Sequence, residues 1–128
     1  MTRQTELTTA EAVAQAARFL DSMKGENILI LDVARICNFT SYFVVATATS
    51  SPHLRALAAR LERDMREQGV RPDNVAPGDG VSWIVLDFGD FVVHLFSAEA
   101  RDYYRLEALW HDARTVPWTP MVQPAPVH

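Results

Sequence analysis

A single cysteine, Cys37, leaves this 128-residue chain without an internal disulfide, and a lone thiol suits a reducing compartment. Basic excess is missing too. The formal net charge is −4, against the balance that nucleic-acid binders usually carry and in favour of a basic partner. No apolar run approaches the roughly 20 residues that a membrane-crossing helix needs, and no signal-type apolar core follows Met1 to Glu6. These absences point to a cytoplasmic protein. What is present, 48% hydrophobic and 22% charged residues, is the composition of a globular chain, and the length suits one domain with a real core.

The stretch Ser82 to Phe96 organises the rest. Two runs of β-branched and aromatic residues meet at Gly89-Asp90, a pair suited to a tight hairpin turn because glycine tolerates positive φ. A two-residue turn sets Phe88 opposite Phe91, Asp87 opposite Val92, Leu86 opposite Val93, Val85 opposite His94, Ile84 opposite Leu95 and Trp83 opposite Phe96. Alternation then gives one face Ile84, Leu86, Phe88, Phe91, Val93 and Leu95, and the other Trp83, Val85, Asp87, Val92, His94 and Phe96. Both faces are largely apolar, so both need cover.

Around this hairpin the periodicity changes from segment to segment. Thr8 to Lys24 reads as a helix, with Thr8 and Glu11 at capping-box spacing, an apolar stripe from Val13 to Met23, and Gly25 placed to end it. Asn27 to Val33 and Tyr42 to Ala48 read as buried strands joined by a polar connection, Arg35 to Ser41. Ser50-Ser51-Pro52 signals a helix start; the helix runs to Gly69 with Leu54, Leu57, Ala58, Leu61 and Met65 inward. A loop rich in Pro and Gly follows, with a short edge strand near Asn74-Val75-Ala76. Ser97 can cap a third helix whose stripe is Tyr103, Leu106, Leu109, Trp110 and Ala113. From Thr115 the prolines multiply and periodicity is lost. The expectation is one domain over 1–114 and a mobile proline-rich tail over 115–128. The order α-β-β-α-β-β-α predicts an α/β fold with a mixed sheet covered by helices.

Candidate chemistry is sparse. Asp87 and His94 share a face as diagonal neighbours and can pair, but a triad also needs a nucleophile: Ser82 falls on the other face, Ser97 lies past the strand, and Cys37 sits in a distant loop. Asp87-Phe88-Gly89 spells the metal-binding tripeptide of kinases without their other motifs. Asp87 and Asp90 lack a third oxygen ligand, and His53, His94, His111 and His128 lack zinc-ligand spacing, so no metal is expected. Gly78-Asp79-Gly80 has no phosphate-loop Lys and reads as a turn. The free amides at Ser50-Ser51-Pro52 can bind an anion or simply be capped. Trp83, at a strand end beside a loop, is either a core anchor or an interface hot spot. No catalytic constellation survives, and the residues favour a binding protein with no cofactor.

Several separated motifs over Leu7 to Ala113 nevertheless resemble one family, the ribosomal silencing factors, also called the Iojap family. They are Lys24, Ile28 to Asp32, Tyr42-Phe43-Val44-Val45, Thr49-Ser50, Trp83 with Asp87, Gly89-Asp90, Val92-Val93-His94 with Phe96, and Arg101 with Tyr104, Leu106, Glu107, Leu109 and Trp110. Ser41, Ala48, Gly25 and Asn27 stand where the family more often has Asp, Gly, Ala and Asp. The resemblance implies a nucleotidyltransferase-like fold without its paired metal-binding carboxylates. It further implies binding to the large ribosomal subunit through ribosomal protein fourteen, which blocks joining of the small subunit and represses translation. On that reading Trp83, Asp87, Phe88 and His94 form the partner-binding site. The competing expectations are a nucleotidyltransferase-like enzyme, from fold analogy alone, and a dimeric assembly module, since the apolar sheet could also serve a homodimer.

Overall fold

The computed structural model describes residues 7–77, 82–105, 108 and 110–118. The elements run α1 (Thr9–Ser22), β1 (Glu26–Asp32), β2 (Tyr42–Ala48), α2 (Ser51–Glu67), β3 (Asn74–Pro77), β4 (Trp83–Asp87), β5 (Phe91–Ser97), α3 (Ala98–Tyr104) and β6 (Arg114–Thr115). The strands form one mixed sheet in the order β3-β4-β5-β2-β1-β6, parallel between β2 and β5 and antiparallel at every other pairing. This is the expected α/β class with a mixed sheet, with β3 as the anticipated edge strand and β6 as an unanticipated one.

The helix signals act as read, except at one glycine. Thr8 Oγ1 accepts from the Glu11 amide at 3.1 Å while Glu11 Oε1 accepts from the Thr8 amide at 2.9 Å, so two amides left unpaired at the start of α1 are satisfied reciprocally. At the other end the left-handed residue is Lys24 (φ 70), not Gly25. The Gly25 amide donates to Leu20 O at 2.8 Å and the Lys24 amide to Asp21 O at 3.0 Å, a Schellman closure. Gly25 is required there by space, since a Cβ would lie 2.9 Å from Leu20 O. α2 ends the same way with Gly69 in the left-handed position (φ 87), its amide on Arg66 O and that of Val70 on Met65 O.

α1 and α2 lie together on one face of the sheet. Val13, Ala16, Ala17 and Leu20 of α1, with Leu54, Leu57, Leu61 and Met65 of α2, bury against Ile30, Val44, Leu86, Val93 and Leu95. At about 1.5–3 kcal/mol for each fully buried large aliphatic side chain, this face is the main source of stability. His53 joins the two helices: its Nδ1 accepts from the Thr49 amide at 2.9 Å, so the ring proton sits on Nε2 and is donated to Met23 O at 2.8 Å. Ser50 Oγ accepts from the His53 amide at 3.1 Å, so the Ser50-Ser51-Pro52 start is a capped helix.

The second face is covered differently. Leu31, Val33, Phe43, Val45, Val92 and Phe96 pack with Ala100 of α3, and Trp110 and Ala113 lie against them. Arg101 ties α3 down: Nη1 donates to Thr47 Oγ1 at 2.8 Å and to Asn27 O, where β1 bulges with Asn27 at φ 50. The third helix is shorter than its apolar stripe predicts. Arg105 adopts the left-handed conformation (φ 52, ψ 52) and closes α3 after Tyr104, which leaves Tyr103 79% exposed. Trp110 and Ala113 still reach the sheet, but from beyond that helix; Leu106 and Leu109 lie outside the described residues. Thr115 does not begin a free tail. It pairs with Leu31 in β6, the Val116 amide donates to Ile30 O at 2.8 Å, and Trp118 Nε1 donates to Ile28 O at 3.4 Å. Residues 115–118 are therefore a strap on the β1 edge, and 119–128 lie outside the described residues, as does Gly78-Asp79-Gly80.

Candidate functional site

The hairpin has the predicted register at every pair from Trp83↔Phe96 to Asp87↔Val92, and the Phe88 amide donates to Phe91 O at 2.9 Å. The turn holds because Gly89 takes φ 87, and Asp87 Oδ1 accepts from the Gly89 amide at 2.8 Å. Asp90 Oδ2 accepts from Thr9 Oγ1 at 3.5 Å, which moors the turn to the start of α1.

The two hairpin faces are also as predicted, with unequal cover. Leu86, Phe88, Phe91, Val93 and Leu95 are buried beneath α1 and α2. On the other face Val92, His94 and Phe96 of β5 are buried, whereas Trp83, Val85 and Asp87 of β4 are only half-buried. Among the described residues α3 packs against β5 and β2. An aromatic row crosses this face. Trp83 stacks on Phe96 (5.2 Å, 21°), His94 lies 5.9 Å from Trp83 and 4.9 Å from Phe43, and Phe43 meets Trp110 edge-on at 5.1 Å. The row continues to Phe39, 6.4 Å from Phe43 and 67% exposed.

The four residues expected to form the site are not all brought together. Trp83, Asp87 and His94 share the face opposite α1 and α2. Phe88 does not: it is 8% exposed, stacked on Phe91 (4.7 Å, 11°) under the helices. The same alternation that places Trp83 outward turns Phe88 inward. Residues that the sequence reading passed over include Val85, between Trp83 and Asp87 on the open strip, and Phe39, in a connection read as polar. An isolated large apolar residue among polar neighbours was the available signal for Phe39.

Chemically the strip offers apolar area and one carboxylate, with no reactive pair. Asp87 does not pair with His94, because its carboxylate closes the turn. His94 Nδ1 accepts instead from the Trp83 indole Nε1–H at 3.2 Å. Burial lowers the His94 pKa from 6.5 to about 4, so the imidazole is neutral at physiological pH. Ser97 Oγ is occupied in capping α3, accepting from the Ala100 amide at 3.1 Å. Among the described residues no three His, Cys, Asp or Glu side chains are grouped to hold a metal ion, and no helix is long and apolar enough to cross a membrane.

Comparison with known proteins adds identity to this geometry. Residues 6–127 match the model of the family described as "Ribosomal silencing factor during starvation". That span passes Ala113, where the motif resemblance ended, and includes the strap. Ribosomal silencing factor RsfS of Bacillus subtilis is 35% identical over 98 residues, covering 77% of this chain and 83% of the relative. RsfS of Halalkalibacterium halodurans is 31% identical over 110 residues, covering 86% and 94%. A mouse relative, named "Mitochondrial assembly of ribosomal large subunit protein 1", is 33% identical over 89 residues, covering 67% of this chain and 39% of its own length. A crystal structure of a Chromobacterium violaceum protein has the same fold, with TM-score 0.78, 30% identity and coverage of 94% and 98%. One from Bacillus halodurans gives TM-score 0.69 at 29% identity, covering 84% and 95%.

Proposed function

This chain belongs to the ribosomal silencing factor family, whose members are ribosome-associated regulators and not enzymes, and we propose that it binds the large ribosomal subunit at ribosomal protein fourteen. Bound at the face that meets the small subunit, it blocks subunit joining by steric exclusion and represses translation in the cytoplasm, with no bond made or broken. The observation that carries this reading is the half-buried strip of Trp83, Val85 and Asp87 on β4, continuous with an aromatic row that reaches the exposed Phe39. A large aromatic flanked by a carboxylate suits a basic protein surface: the ring supplies buried area, and the acid meets lysine or arginine. The net charge of −4 favours approach to such a surface.

Trp83→Ala is the direct test. Removing a central aromatic anchor weakens binding by roughly 2 kcal/mol, about 30-fold, so the variant should no longer co-sediment with large subunits at concentrations that saturate the wild type. Its thermal melt should stay cooperative. Unchanged binding contradicts the proposed surface; global unfolding makes Trp83 a core residue. The same strip can also meet a second copy of the chain, and light scattering across dilution distinguishes that arrangement.

A further inference from the structure

Within the proposed docking strip, Trp83 and His94 stand in unequal positions. Trp83 is half-buried at the start of β4 and stacked on Phe96. His94 is held more tightly. Its backbone lies in the middle of the sheet, opposite Val45 on one side and Val85 on the other. Its ring is 8% exposed, edge-on to Phe43 (80°) and nearly parallel to Phe96 (10°). The contact between them is directional: the Trp83 Nε1–H donates to His94 Nδ1 at 3.2 Å, which requires the tautomer protonated on Nε2. That leaves Nε2 buried without a hydrogen-bond partner. The histidine keeps an uncompensated donor while the indole is satisfied.

We propose that His94 is the positioning residue of the docking strip: through Nδ1 it holds the Trp83 indole flat against Phe96, in the orientation that the ribosomal partner meets, and it makes no contact with that partner itself. The proposal rests on the reading of Trp83 as the docking anchor. A ring fixed before binding need not be ordered on binding, and affinity rises by the part of that cost avoided. An acceptor that is itself immobile does this better than water, which would satisfy the indole in any rotamer. His94 thus acts through Trp83, and its buried position on β5 is what fits it to the task.

The test uses the full chain, purified large subunits, and the Trp83 indole proton resonance, assigned by its absence in Trp83→Phe. His94→Ala should bind about tenfold more weakly, the size expected for one net hydrogen bond, and should shift or broaden the indole resonance. His94→Asn, whose Oδ1 falls near the place of Nδ1, should restore most of both, whereas His94→Gln, which reaches toward the Nε2 position, should not. In a Trp83→Phe background, His94→Ala should cost less than about twofold more, since the donor it serves is gone. Full affinity in His94→Ala, an equal loss in the Trp83→Phe background, or rescue by Gln and not Asn overturns the positioning role. An unaltered indole resonance in His94→Ala overturns it independently of any ribosome. Failure of the wild type to bind large subunits overturns the docking reading alone, and the resonance still decides whether His94 fixes Trp83.

Discussion

His94 carries a titration that the folded chain suppresses. Surrounded by Phe43, Trp83 and Phe96, the imidazole loses hydration on folding and its pKa falls from 6.5 to about 4. In the unfolded chain it takes up a proton near 6.5; in the folded chain it does not until about 4. Between those values the unfolded state binds the extra proton, so stability is complete above pH 6.5 and is lost as pH falls toward 4, by an amount on the order of 3 kcal/mol. Urea midpoints measured across this window should fall for the wild type and fall less for His94→Asn. Equal slopes for the two proteins would mean that His94 is not held neutral. Taking the difference between them removes the carboxylates that titrate in the same range.

At the scale of elements, the hairpin was the most legible part of the chain because two signals agreed: alternation on both arms, and a Gly-Asp turn that fixes their register. Trp83, Asp87 and His94 on one face followed directly. Phe88 enters the expected site through the family resemblance, whereas the alternation turns it under α1 and α2. The third helix was overextended for a different reason. Tyr103, Leu106, Leu109, Trp110 and Ala113 keep a helical period, yet Arg105 turns left-handed between them, and a non-glycine residue in that conformation leaves no mark in composition. β6 was missed because a two-residue pairing carries no side-chain pattern, and Pro117 and Pro120 beyond it look like linker. The strap gives a test of its own. Trp118 packs against the cluster under α1 and α2 and donates to Ile28 O, so Trp118→Ala should destabilise the protein by about 1–2 kcal/mol, roughly half the value of a fully buried large side chain. A free tail would show no change in the denaturation midpoint. A drop at constant slope against denaturant is the expected result.

The two faces of the sheet differ in cover. One face, sealed by α1 and α2, holds the fold together, and among the described residues the other is covered by α3, Trp110 and Ala113, with Trp83, Val85 and Asp87 of β4 half-buried. On the proposed reading this division suits a protein that acts by occupying a surface: a rigid body behind, and in front a half-buried strip of apolar and acidic side chains. The family membership makes the partner ribosomal, and on the proposed reading occupancy alone silences. The most direct measurement is sedimentation of purified large and small subunits, with and without saturating protein, under conditions where the subunits join. The joined particle should be lost, and the protein should travel with the large subunit. Undiminished joining at saturation would contradict that reading.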